Sequence, residues 1–136
     1  MSDRFPGAGF FRELAARAAC DPELAKLGVF DATFGLRVLP DGGGAGPLVV
    51  LTFDGFEVRD VRRIDGDAPP DVDFVLEAPQ SVWQDLLQDP KTRTINTLTH
   101  HGTPMRVIAT DPLGHDKLFR FQESVQRVFE IAAEIR

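Results

Sequence analysis

The stretch from Asp71 to Leu87, D-V-D-F-V-L-E-A-P-Q-S-V-W-Q-D-L-L, constrains this chain more than any other. Val72, Phe74 and Leu76 point one way, and Asp73, Val75 and Glu77 the other, which is the period-two pattern of a half-covered strand. Ala78-Pro79 ends the strand, and Pro79 is expected in the first turn of a helix, where its missing N–H is tolerated. Val82, Trp83, Leu86 and Leu87 then share one apolar helical face. A strand that runs straight into such a helix folds it back over its own sheet. Two apolar surfaces face each other there, and the function is expected in the interior they enclose.

The chain has 136 residues, enough for one domain spanning 1–136 that buries roughly two-thirds of its unfolded surface. Its net charge of −6 and pI near 5.0 leave no basic run for a nucleic acid, so none is expected as partner. Arg59, Arg62 and Arg63 form the one basic cluster and read as a solvated strand edge. A single cysteine, Cys20, excludes an internal disulfide and fits a reducing compartment; among Ala15, Ala16, Ala18 and Ala19 it is expected to be a buried thiol. No apolar run approaches the ~20 residues of a spanning helix, and the N-terminus does not read as a signal peptide, so the cytoplasm is the expected location. The aromatic inventory is eleven Phe, one Trp and no Tyr, so nearly every ring lacks a hydrogen-bonding handle.

In chain order, Gly9 to Ala19 reads as an amphipathic helix with Phe10, Phe11, Leu14, Ala15 and Ala18 inward. A membrane-surface role for it lacks the lysine-rich polar face that such a role favours. Asp21-Pro22-Glu23 starts a second helix, with Asp21 as N-cap, and Gly28 stops it. From Val29 the period changes to two. Phe30, Ala32, Phe34, Leu36 and Val38 form one side of a first strand. Leu48 to Phe53, apolar on both faces, is an interior strand. Asp54-Gly55 is a hairpin turn, and the polar third strand, Phe56 to Ile64, is an edge. The Gly-rich loop Pro40 to Pro47 lacks the following Lys-Ser/Thr and helix of a phosphate cradle. Beyond Leu87, Lys91 to Thr99 is expected as a short helix with Ile95 and Leu98 inward, and Met105 to Thr110 as a fifth strand. A single long helix from His115 to Ile135 closes the chain, with Leu118, Phe121, Val125, Val128, Ala132 and Ile135 stepping by three and four. This order predicts an α+β fold, a five-stranded, mainly antiparallel sheet with helices packed on one face.

No catalytic or metal site is expected, and no cofactor. His100 and His101 are adjacent and point apart on a strand. His115 lies near Asp111 and Asp116, but helix capping accounts for both carboxylates. Ser81 and Ser124 have no neighbouring base, and no G-x-S-x-G elbow occurs. Asp71 and Asp73 read as a polar rim.

The order of elements, the D-G after the second strand and the D-V-D-F-V-L-E-A-P-Q-S-V-W-Q-D-L-L segment together resemble the sterol carrier protein 2-like family. Asp71, Phe74, Trp83, Leu86 and Leu87 fit that family's strand-and-helix pattern, and Gly102 fits its glycine before the last strand. The likeness runs from about Ala15 to Val128. It implies a five-stranded sheet covered on one face, an apolar tunnel between the layers, and non-catalytic carriage of sterols, acyl chains or isoprenoid molecules. Inward positions of strand and helix then give the candidate lining: Phe34, Leu36, Phe74, Leu76, Trp83 and the Leu86–Leu87 pair, joined by Ile95, Leu98, Met105 and Val107. The G-G-G loop, T-H-H-G-T-P and the long last helix depart from the family pattern, and that helix either closes the tunnel or fills it.

The expected function is therefore a non-catalytic carrier whose partner is a hydrophobic small molecule or lipid. The alternative is an interaction module of the same fold, acting as a homodimer or as an accessory subunit of a lipid- or quinone-metabolising enzyme, with the cavity filled. An enzyme using His115 is the third class.

Overall fold

The computed structural model describes residues 5, 7–40, 46–55, 57–66, 69–92, 94, 105–109 and 111–135, without the side chains of Ala8 and His115. Helix α1 (Ala8–Ala19) precedes the short α2 (Pro22–Lys26). Strands β1 (Ala32–Leu39), β2 (Leu48–Asp54), β3 (Glu57–Ile64) and β4 (Phe74–Pro79) follow. Then come α3 (Gln80–Gln88), β5 (Arg106–Ile108), α4 (Pro112–Arg120) and α5 (Gln122–Ile135). The expected helix over 91–99, His100 and His101 fall outside the described residues except at positions 91, 92 and 94.

Local chemistry sets the element ends. Asp21 caps α2 by accepting from the Leu24 N–H at 2.8 Å, with Pro22 in the first turn. Gly28 follows the helix at φ 92°, a left-handed conformation that glycine adopts without steric cost. Asp111 caps α4 in the same way, accepting from the Leu113 N–H at 3.0 Å. The hairpin at Gly55 (φ 75°) is pinned by Asp31, whose Oδ1 accepts the Gly55 N–H at 2.8 Å.

The sheet has the order β3-β2-β1-β4-β5. Neighbours are antiparallel except β1 and β4, which run parallel with Phe34 opposite Phe74 and Leu36 opposite Leu76. The polar β3 is an edge, as its charges require, with Arg59 paired to Asp54 and Arg62 to Asp71. One face carries Phe34, Leu36, Val49, Leu51, Phe53, Phe74 and Leu76 into a single hydrophobic cluster with α1, α3 and α5. On the opposite face Leu48, Val50, Val72 and Val75 form a second, small cluster with Ile64. The apolar outward side of β2 is thus covered within the chain.

Four expectations are corrected. Cys20 is exposed, because it caps the end of α1 after the apolar face has turned away. Val72 packs on the opposite face from Phe74, because regular strand geometry begins only at Phe74. Pro79 is the N-cap of α3 rather than its first helical residue. The last helix is two: α4 starts at Pro112, and Phe121 (φ −106°, ψ 20°) breaks the path before α5. The apolar stripe runs on across that break, so its period gave no sign of it.

Helix α4 also approaches the sheet closely. A Cβ on Gly114 would lie 1.9 Å from the Asp73 carbonyl oxygen, so only glycine admits this contact.

Candidate ligand-binding interior

The interior is built from paired strands upward. Parallel pairing of β1 with β4 sets Phe34 beside Phe74, and antiparallel pairing of β1 with β2 sets Ala32 beside Phe53. The Phe34 ring stacks on Phe74 at 5.2 Å between centroids and on Phe53 at 5.8 Å, with interplanar angles of 10° and 8°. Phe30 closes on Phe53 at 4.6 Å, and Phe121 lies on Phe30 at 5.2 Å. These rings form an apolar ladder without a hydroxyl among them.

Helix α3 supplies the second wall. Trp83 is fully buried, with Leu86 and Leu87 beside it in the same cluster. Its indole stacks obliquely on Phe129 of α5 and on Phe5, both at 5.6 Å. The Nε1–H is shared between the carbonyls of Ala78 (3.1 Å) and Arg37 (3.2 Å), so the one polar atom of the ring is satisfied by strand backbone.

The expected lining is thus gathered in large part. Phe34, Leu36, Phe74, Leu76, Trp83, Leu86, Leu87 and Met105 are buried in one cluster, and Val107 packs half-buried against it. Ile95 and Leu98 lie outside the described residues. Phe30, Phe53 and Phe129 are buried in the same cluster and were not among the residues expected there. Phe30 shares the parity of Phe34, a signal that was available; the placement of Phe129 depends on how α5 crosses the sheet, which periodicity does not give.

Charged groups hold the frame around this interior. Asp73 Oδ2 accepts from the Thr33 N–H (2.9 Å) and from Lys117 Nζ (3.1 Å), tying α4 to β1 and β4. Asp21 takes a two-pronged contact from Arg127 at 2.7 and 2.8 Å, joining α2 to α5. The Arg127 guanidinium holds the Asp21 carboxyl below the usual carboxylate range, outweighing partial burial, and Asp21 in turn raises Arg127. A surface recess of about 770 Å³ lies beside this pair, lined by Glu23, Leu27, Lys91, Gln122 and Gln126 among others. Apart from Leu27 its lining residues carry polar or charged groups on aliphatic stems, and none belongs to the aromatic layer. Among the described residues no group of three or more His, Cys, Asp or Glu is arranged to hold a metal ion. Among them, too, no helix is long and apolar enough to cross a membrane.

A five-stranded mixed sheet with this strand order and helices over one face is the sterol carrier protein 2-like fold. The chain matches a crystal structure of sterol carrier protein 2 with TM-score 0.74 at 18% identity, covering 98% of this chain and 100% of that one. It matches the solution structure of a conserved hypothetical protein from Thermus thermophilus, described as a possible sterol carrier protein, with TM-score 0.77 at 19% identity, covering 98% and 91%. The apo form of sterol carrier protein 2 from Yarrowia lipolytica matches with TM-score 0.52 at 16% identity, covering 86% and 97%. No protein-family model matches the sequence, and no curated protein does.

Proposed function

We propose that the protein is a single-domain, cytoplasmic, non-catalytic carrier of a nonpolar ligand, a lipid, acyl chain, sterol-like or isoprenoid molecule, held between sheet and helices. The carrying observation is the character of the interior surface. Phe30, Phe34, Phe53 and Phe74 present ring faces without hydroxyls, and the Trp83 N–H is engaged by backbone. Such a surface offers a guest apolar contact and dispersion rather than hydrogen bonds. The fold likeness to a protein named for carrying sterols supports the same reading.

Admitting a guest costs the packing of the side chains it displaces and returns the burial of the guest itself. A chain of about sixteen carbons gains roughly 12 kcal/mol on burial at ~0.8 kcal/mol per methylene. Each ring contact it displaces is worth about 0.5–1.5 kcal/mol beyond area. The proposed lining is Phe34, Leu36, Phe74, Leu76, Trp83 and Leu86, with Leu87, Ile95, Leu98, Met105 and Val107 completing it. Titrating delipidated protein with palmitate or an isoprenoid quinone is expected to shift the emission of Trp83, the only tryptophan. An unchanged emission, together with no displacement of a nonpolar dye, would count against the carrier.

A second reading is favoured by α5. Val125, Val128, Phe129 and Ala132 already occupy the layer above the sheet, each at most 1% exposed. In that reading the domain is a filled interaction module, a homodimer or an accessory subunit of a lipid- or quinone-metabolising enzyme. It differs from the first by giving no response in the same titration.

A further inference from the structure

We infer that helix α4 is the door of the interior, opening off β4 about the break at Phe121, with the Lys117–Asp73 ion pair as its latch. Little holds this helix down. Helices α3 and α4 have nine residues each, yet α3 buries Trp83, Leu86 and Leu87, whereas only Gly114 and Leu118 are buried among the described positions of α4. Its other two large apolar side chains, Leu113 and Phe119, are 66% and 73% exposed and add nothing to the hold. Lys117 Nζ reaches Asp73 at 3.1 Å, but the two side chains remain 35% and 25% exposed. A pair so open to water is screened and contributes little. Helix α5, by contrast, buries Val125, Val128, Phe129, Ile131 and Ala132. A helix with few buried apolar contacts opens locally more readily than the rest of its fold.

The place of α4 gives that opening a consequence. It packs on β4 and α5, and Gly114 rests on the Asp73 carbonyl, one residue before Phe74 of the ring ladder. Lifting it withdraws Leu118 from the core and uncovers the sheet at the start of β4. The rest of the cover is held by larger buried side chains, Phe10, Phe11 and Leu14 on α1 and Trp83 on α3. The ends of α4 suit movement as a formed helix. Asp111 closes the first turn by accepting the Leu113 N–H. At the other end one residue divides the helices: the Phe121 N–H bonds the Lys117 carbonyl at 3.0 Å, and its own carbonyl accepts the Val125 N–H at 2.9 Å. Its φ of −106° and ψ of 20° leave the helical path there, and its ring stays on Phe30, which fixes the pivot.

This inference rests on the carrier reading for its purpose, and the motion is measured apart from it. In hydrogen exchange of the full chain, the amides of α4 are expected to exchange about tenfold faster than those of α5 and β1. Lys117→Met keeps the aliphatic stem and removes the latch. It is expected to speed exchange in α4 about threefold while α5, β1 and the thermal midpoint stay unchanged. Gly114→Ala, whose added methyl meets the Asp73 carbonyl, is expected to leave α4 without protection. In stopped-flow mixing with palmitate, followed by Trp83 emission, Lys117→Met should raise the association and dissociation rates by the same factor at unchanged affinity. A contact to the guest would change the affinity, and a merely structural role would lower the midpoint. The inference is overturned if α4 exchanges no faster than α5, if Lys117→Met speeds exchange throughout the chain, or if it leaves the palmitate rates unchanged. Selective exchange in α4 with no palmitate uptake by the wild type sinks the carrier reading, and the door then has nothing to admit. Palmitate uptake with uniform exchange sinks the door alone.

Discussion

Trp83→Ala is expected to destabilise the protein by about 3–5 kcal/mol, a large share of the total stability of a domain this size. The side chain is fully buried, its ring meets Phe5 and Phe129, and its N–H bonds two carbonyls at the junction of β1, β4 and α3. Truncation opens a cavity where sheet and helices meet and leaves the two carbonyls without that donor. Trp83→Phe separates the contributions: it keeps most of the apolar volume and removes the N–H, so a loss of about 1–3 kcal/mol is expected. Urea denaturation of the three proteins, at unchanged slope, measures both. Equal stability of wild type and Trp83→Ala would mean that the indole does not hold the layers together.

Asp21 should give the second large effect, because one carboxylate serves two elements. It caps α2 through the Leu24 N–H and receives both prongs of Arg127, 106 positions along the chain. Asp21→Asn retains a capping oxygen but removes the charge, and is expected to cost about 1–3 kcal/mol at pH 7. Asp21→Ala removes the cap as well, adding about 1 kcal/mol. Arg127 depresses the folded-state pKa of Asp21 below its unfolded value. Its contribution is therefore complete above the unfolded pKa, near 4, and is lost as pH falls through the lower folded value. The stability gap between wild type and Asp21→Asn should be constant from pH 7 to about 5 and should close toward pH 2. A gap that widens on acidification would contradict the assigned pair.

These two residues also mark what could be read from the sequence. Trp83 was legible because it sits in a helix that follows a strand directly, so its face had to meet the sheet. The edge position of β3 and the interior position of β2 were legible from charge and from two-sided apolarity. The Asp21 cap was legible as a local pattern, but its partner was not, since nothing local joins it to Arg127. For the same reason the Asp73–Lys117 contact escaped notice, Asp73 reading only as rim. Period failed where backbone direction changed without a change in polarity: at Phe121, where the apolar stripe continues across a helix break, and at Val72, ahead of the regular strand. Composition misled at Cys20, whose alanine neighbours suggested burial although helix α1 ends there. In the interior, parity identified Phe34, Phe74 and the α3 wall, whereas the place of Phe53 in the ladder required the strand pairing and the contact of Phe129 with Trp83 required the crossing of α5.

The central claim is that the aromatic layer between sheet and helices receives a nonpolar guest. Native mass spectrometry of the freshly purified protein, followed by organic extraction, tests it most directly. The account predicts a population heavier than the polypeptide by the mass of one lipid-sized molecule, which extraction removes and added lipid restores. A single species at the mass of the bare chain, unchanged after incubation with fatty acid, sterol and isoprenoid quinone, would contradict it and leave the filled interaction module.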